Sequence, residues 1–163
     1  MKKFIRTKYG KILELEKTSE CIFSIRNKNV DSENCYVSYL WDNWKKYYLI
    51  DYKDCMLFSY NSAQSFIDDL IKENLNYQDL VIELSPYYKD CKQGDTIEEL
   101  CDCFVVVGKK HYIWDKQHCL GLTFEQVKQS YSAYDFEIYG AVWREWGLKY
   151  VAKMNANGDL ELI

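Results

Sequence analysis

The chain has 163 residues, 48% hydrophobic and 28% charged, with a formal net charge of -4 from 21 basic and 25 acidic residues. That length and balance suit one globular domain and exclude disordered, collagenous and low-complexity classes. No uncharged apolar run approaches the ~20 residues of a membrane helix, and the acidic balance argues against duplex nucleic acid as the main partner.

The opening predicts strands. Residues 4–7 (FIRT) and 11–16 (KILELE) alternate apolar and polar side chains around a turn at Gly10, and 21–25 (CIFSI) extends the meander. Arg6 and Lys8 interrupt the apolar core that a signal peptide requires, so the sequence predicts a cytoplasmic protein. The polar stretch 26–34 reads as a loop. Residues 36–60 then carry nine large aromatics, of which Trp41, Trp44, Tyr47 and Tyr48 enclose Lys45 and Lys46. YYLIDY within this segment favours a strand, while YVSYLWDNWKK fits strand or helix equally.

A helix over 62–73 follows from Ser62 as N-cap and from Ala63, Phe66, Ile67, Leu70 and Ile71 along one face. DLVIEL (79–84) predicts a strand stopped by Ser85-Pro86. A helix over 96–104 rests on capping-box spacing at Asp95 or Thr96. VVVG and KKHYIW then predict a strand pair broken at Gly108. A third helix, 123–134, starts from the Thr123–Gln126 capping box and presents Phe124, Val127, Tyr131 and Tyr134. The C-terminal segments EIYGAVW, LKYVAKM and DLELI form a three-strand meander turned at Trp146-Gly147 and Asn157-Gly158. The expected fold is therefore a single α+β domain over 1–163: one twisted antiparallel sheet with about three helices.

Candidate chemistry is sparse. Seven cysteines without an export signal predict reduced thiols in small core positions. Cys91, Cys101, Cys103, His111, His118 and Cys119 hold potential metal-ligand types. The pair Cys101/Cys103 is CxC, however, and on the expected helix its side chains diverge, so no metal is assigned. Cys119 beside His118, with His111 and Asp115 close by, has the residue types of a thiol enzyme, although sequence neighbours rarely supply that geometry. Glu98/Glu99 and Asp68/Asp69 read as solvated helix faces and caps rather than paired catalytic carboxylates. No phosphate loop, dinucleotide fingerprint, zinc-protease helix or nucleophile elbow is present. Neither a catalytic residue nor a cofactor is assigned.

Aromatic residues make up 17% of the chain, more than its own core readily hides. Trp41, Trp44, Tyr47 and Tyr48 are the candidate binding residues. Trp41 and Trp44 flank Asp42-Asn43, a turn-forming pair, which puts at least one indole at a loop tip. The expectation is that Trp44, with Tyr47 or Tyr48, is exposed in the monomer and covered in a complex with a protein partner or a second copy. A stack of Trp41, Trp44 or Trp114 on a nucleotide or other small ligand is the alternative from a different class.

Two segments carry a resemblance. QGDTIEELCDCFVVV (93–107) and YGAVWREWGLKYVAKMNANGDLELI (139–163), with the opening KFIRTKYGKILELE (3–16), resemble small uncharacterised proteins of phages and mobile elements in Gram-positive bacteria. The shared motifs are structural, a capped helix and hairpins, and the aromatic segment has no counterpart among them. The resemblance implies a protein of the bacterial host cytosol that acts by binding a host protein, as an inhibitor of a bacterial defence system would, in the manner of an anti-CRISPR protein.

Overall fold

The computed structural model describes residues 2–109 and 116–163. Twelve strands and two α-helices follow one another among these residues. The first strands are β1 (Phe4–Arg6), β2 (Ile12–Glu14), β3 (Phe23–Asn27), β4 (Tyr36–Ser38) and β5 (Tyr48–Ile50), followed by helix α1 (Tyr60–Lys72). Next come β6 (Leu80–Leu84), β7 (Gln93–Gly94), β8 (Cys103–Gly108), β9 (Gln117–Cys119) and helix α2 (Phe124–Ser130). The chain closes with β10 (Phe136–Arg144), β11 (Gly147–Met154) and β12 (Leu160–Leu162). The α+β class holds, with the strands divided among three antiparallel sheets rather than gathered in one. By its contacts the chain divides into two compact units, a middle unit (Leu15–Asp90) and a terminal unit (Met1–Glu14 with Cys91–Ile163).

In the terminal unit, β1 and β2 form the expected hairpin, and β7 adds to the free side of β1. The hairpin turn closes through the Gly10 N–H donating to the Thr7 carbonyl at 2.9 Å. Gly10 sits at φ +76°, a backbone conformation that favours glycine, and a Cβ there would also crowd the Arg144 side chain at 2.8 Å. The five-stranded sheet runs β12-β11-β10-β8-β9 and contains the expected C-terminal meander. The β10–β11 register slips between Gly140 and Ala141, which pair with Ala152 and Tyr150, so β11 carries a bulge at Val151 opposite the central strand. Gly140, on the facing strand, leaves room for sulfur, since a Cβ there would lie 2.6 Å from Cys101 Sγ. On one face α2 buries Phe124 and Val127 against Phe104, Val106, Cys119 and Ile138. A neighbouring cluster joins Phe4 and Ile12 to Ile97, Leu100, Val142, Val151 and Ala152.

In the middle unit, the sheet runs β5-β4-β3-β6, so CIFSI belongs here and does not continue the N-terminal hairpin. Helix α1 turns Ala63, Phe66 and Leu70 onto Ile25, Val37, Phe58 and Leu80, while Ile71 at the edge of the expected stripe is exposed. It begins earlier than the sequence suggests. Ser59, not Ser62, is the N-cap, and its hydroxyl accepts the Ser62 N–H at 3.2 Å. The helix ends where Asn74 takes φ +54°. Leu75 and Asn74 donate their N–H groups to the carbonyls of Leu70 and Ile71 at 2.9 and 3.1 Å, a Schellman closure.

The helix expected over 96–104 is absent. Its capping contacts do form: the Thr96 hydroxyl accepts the Glu99 N–H at 3.4 Å, and Glu99 accepts the Asp95 N–H at 3.1 Å. Only one 3-10 turn, Glu98–Leu100, follows before Cys101 becomes extended and the chain enters β8. A run of valines between two sheet partners prevails over a local cap. The expected helix over 123–134 is shortened in the same way. Its capping box is present, but Tyr131 is already extended, with its ring edge-on to Phe136 at 5.3 Å. The ambiguous segment before β5 resolves into β4 and a 3-10 turn at Trp44–Lys46. Of the strand pair expected at VVVG and KKHYIW, the first is β8, and residues 110–114 of the second lie outside the described residues. No described helix is long and apolar enough to cross a membrane.

Candidate functional site

The aromatic segment of the middle unit is built around one ring. Phe66, on the inward face of α1, is 5% exposed. Tyr39 stacks on it at 5.3 Å with the planes 2° apart, and Trp44 and Tyr47 meet it edge-on at 6.4 and 5.8 Å. The Tyr47 hydroxyl donates to the Asn76 carbonyl at 3.1 Å. Burial, with a smaller contribution from Asp79, raises the Tyr47 phenol above its ordinary value, and burial alone does the same to Tyr39. Trp44 is thus half-buried, held by its own unit, and is not the solvent-facing indole expected from the sequence.

The exposed indole is Trp41. A turn closes through the Asn43 N–H donating to the Leu40 carbonyl at 2.9 Å, which leaves Trp41 and Asp42 at its corner. Trp41 is 93% exposed and Leu40 65%. Tyr48 opens β5 opposite Ser38 and is also exposed. The structure therefore splits the four candidate residues. Trp41 and Tyr48 face solvent, whereas Trp44 and Tyr47 brace the segment on Phe66. Leu40, the most exposed aliphatic neighbour, has no signal in the sequence beyond its place beside the turn.

Between this segment and α1 lies a cavity of about 340 Å³ lined by Tyr39, Trp44, Phe66, Asn61, Ser62, Ser65 and Asp69. Lys45 stands beside it, with Nζ 5.7 Å from the Trp44 ring centre and 3.1 Å from Glu73 Oε2. Asp69 is exposed, in keeping with its place on a solvated helix face, and the folded helix brings it to the same cavity as Trp44.

The thiol candidates are placed differently. All seven cysteines are free. Cys119 is buried in the α2 cluster, while His118 precedes it on β9 and is exposed, so the two side chains leave opposite faces of one strand. Burial pushes the Cys119 thiol up, partly offset by a hydrogen bond from the Tyr131 hydroxyl, which is the wrong direction for a nucleophile. Burial drives Cys101 to about 12. Cys101 and Cys103 do not share a helix; they pack in different clusters, and no three His, Cys, Asp or Glu side chains among the described residues converge as metal ligands. His111, Trp114 and Asp115 lie outside the described residues.

The terminal unit carries its own exposed indoles. The β10–β11 hairpin turns through Glu145 and Trp146, with Trp146 95% exposed and Trp143 half-exposed. No family model matches the chain, and neither a curated protein nor a solved structure matches it.

Proposed function

We propose that the protein acts without catalysis, by stoichiometric binding to a host protein, as a phage or mobile-element inhibitor of a bacterial defence system. The observation that carries this reading is the Leu40-Trp41 corner. An indole 93% exposed beside an exposed leucine packs little within its own unit, yet it sits on a segment clamped to Phe66. A large apolar side chain on a rigid support loses little conformational freedom on binding, which is what an interface anchor needs. The acidic charge supports the same reading, because a negative surface can occupy a host site built for nucleic acid.

The test is affinity capture from a Gram-positive host lysate with the intact chain and with Trp41→Ala as parallel baits. The intact chain should retain one host protein in equimolar amount, and the variant should lose it while melting at the same temperature. Retention of the same protein by both baits, or of none by the intact chain, would sink the reading.

A further inference from the structure

The cavity beside Trp44 has a chemistry that the exposed corner does not. Tyr39, Trp44 and Phe66 all line it, with Tyr39 stacked on Phe66 and Trp44 edge-on to it. Ring faces attract cations through their quadrupole, tryptophan most strongly. Lys45 already displays that preference at the Trp44 ring, but Glu73 holds its ammonium group. Asp69 also lines the cavity, and no described residue pairs with its carboxylate. The hydroxyls of Ser62 and Ser65 add neutral acceptors for N–H groups. Aromatic residues and an unneutralised carboxylate lining one cavity are complementary to an organic cation.

Charge distribution points the same way. The middle unit carries 13 acidic and eight basic residues, a net charge of -5, so the potential around the cavity draws cations and repels phosphates. A nucleotide could stack on Trp44, but its phosphates would meet Asp69 in an acidic setting. The Leu40-Trp41 corner belongs to the same segment. Trp41 at the corner is three positions from Trp44 in the cavity lining, which places both within the footprint of one partner surface.

We propose that the cavity between Tyr39, Trp44 and Asp69 receives the guanidinium or ammonium group of an arginine or lysine side chain on a basic partner protein. This rests on the protein-binding function proposed above and supplies its specificity: an apolar anchor outward and a cation inward.

The test uses the intact protein labelled with nitrogen-15 and titrated with N-acetyl-arginine amide, its neutral counterpart N-acetyl-citrulline amide, and AMP. The Trp44 indole N–H, identified by its loss in Trp44→Phe, should move saturably with the arginine probe and not with citrulline. Asp69→Asn lies on the exposed face of α1 and should keep its melting temperature while weakening arginine binding about threefold to fivefold. Equal shifts from citrulline, stronger binding of AMP, no saturable shift, or an unaltered response in Asp69→Asn would each overturn the assignment. Arginine binding without a captured host protein would remove the proposed function and leave this site standing; a captured partner without arginine binding would do the reverse.

Discussion

Trp41 and Trp44 are the same residue type three positions apart, and their packing separates them. Trp44 rests edge-on against Phe66, so its truncation removes core contact, whereas Trp41 touches little within its own unit. Trp41→Ala should therefore weaken partner binding by about 2 kcal/mol with folding intact, as for a central interface anchor. Trp44→Ala should instead lower the melting temperature, and calorimetry of both variants distinguishes the two roles. Asp102 shows the opposite economy, one side chain with several partners. The Arg6 guanidinium holds it in a two-pronged pair at 2.7 and 2.8 Å, and its Oδ2 also accepts the Trp143 N–H at 2.7 Å. Chiefly through the Arg6 hydrogen bond, the Asp102 carboxyl is held below its ordinary value. Its stabilising contribution is therefore complete above the unfolded carboxyl value, about 4, and is lost as pH falls through the lower folded value. Asp102→Asn should cost roughly 1–2 kcal/mol in denaturant unfolding at neutral pH and little in strong acid. A pH-independent penalty would assign the loss to packing.

At the scale of elements, what was legible in the sequence was local. The Thr123–Gln126 box, Gly10 and the C-terminal hairpins each depend on residues a few positions apart and are present, although the β10–β11 turn falls at Glu145-Trp146, one residue before the expected Trp146-Gly147, with Gly147 already in β11. The 96–104 helix fails for a nonlocal reason. Its cap forms, but β8 is claimed on both sides by β10 and β9, and no window of sequence contains those partners. The environment of Trp44 is nonlocal in the same way, being set by Phe66 on a later helix, and that helix also carries Asp69 to the cavity. The start of α1 moved by one turn because Ser59 and Ser62 are both competent caps and are bonded to each other at 2.9 Å. The end of α1 offers a sharper test. Asn74 is the non-glycine residue at positive φ among the described residues, and asparagine tolerates that region better than alanine. Asn74→Ala should destabilise by about 1 kcal/mol in chemical denaturation, and Asn74→Gly should not. Equal stability of the two variants would mean that the closure contributes nothing.

The whole molecule is electrostatically lopsided. The middle unit holds a net charge of -5, whereas the terminal unit, with 12 acidic and 13 basic residues, stands at +1. The formal charge of -4 therefore understates the field at the candidate site. If a basic partner is recognised there, association should be steered, with the on-rate falling several-fold between about 0.05 and 0.5 M salt while the off-rate changes little. Stopped-flow or surface-based kinetics with the captured partner checks this, and a salt-independent on-rate would assign recognition to the apolar corner alone.

The division of strands has a separate consequence, for behaviour in crowded or concentrated solution. Three open sheets present six flanks among the described residues, where one continuous sheet would present two. Each flank is a strand of five residues or fewer, β7 having two and β2, β5, β9 and β12 three each. A ribbon that short offers an incoming chain only a few backbone partners before it ends, too few to template a growing fibril. Partition into small sheets thus multiplies the number of sticky borders while making every one of them a poor seed. A chain with so many aromatic and β-branched residues is shielded by geometry from the amyloid tendency that its composition would otherwise confer.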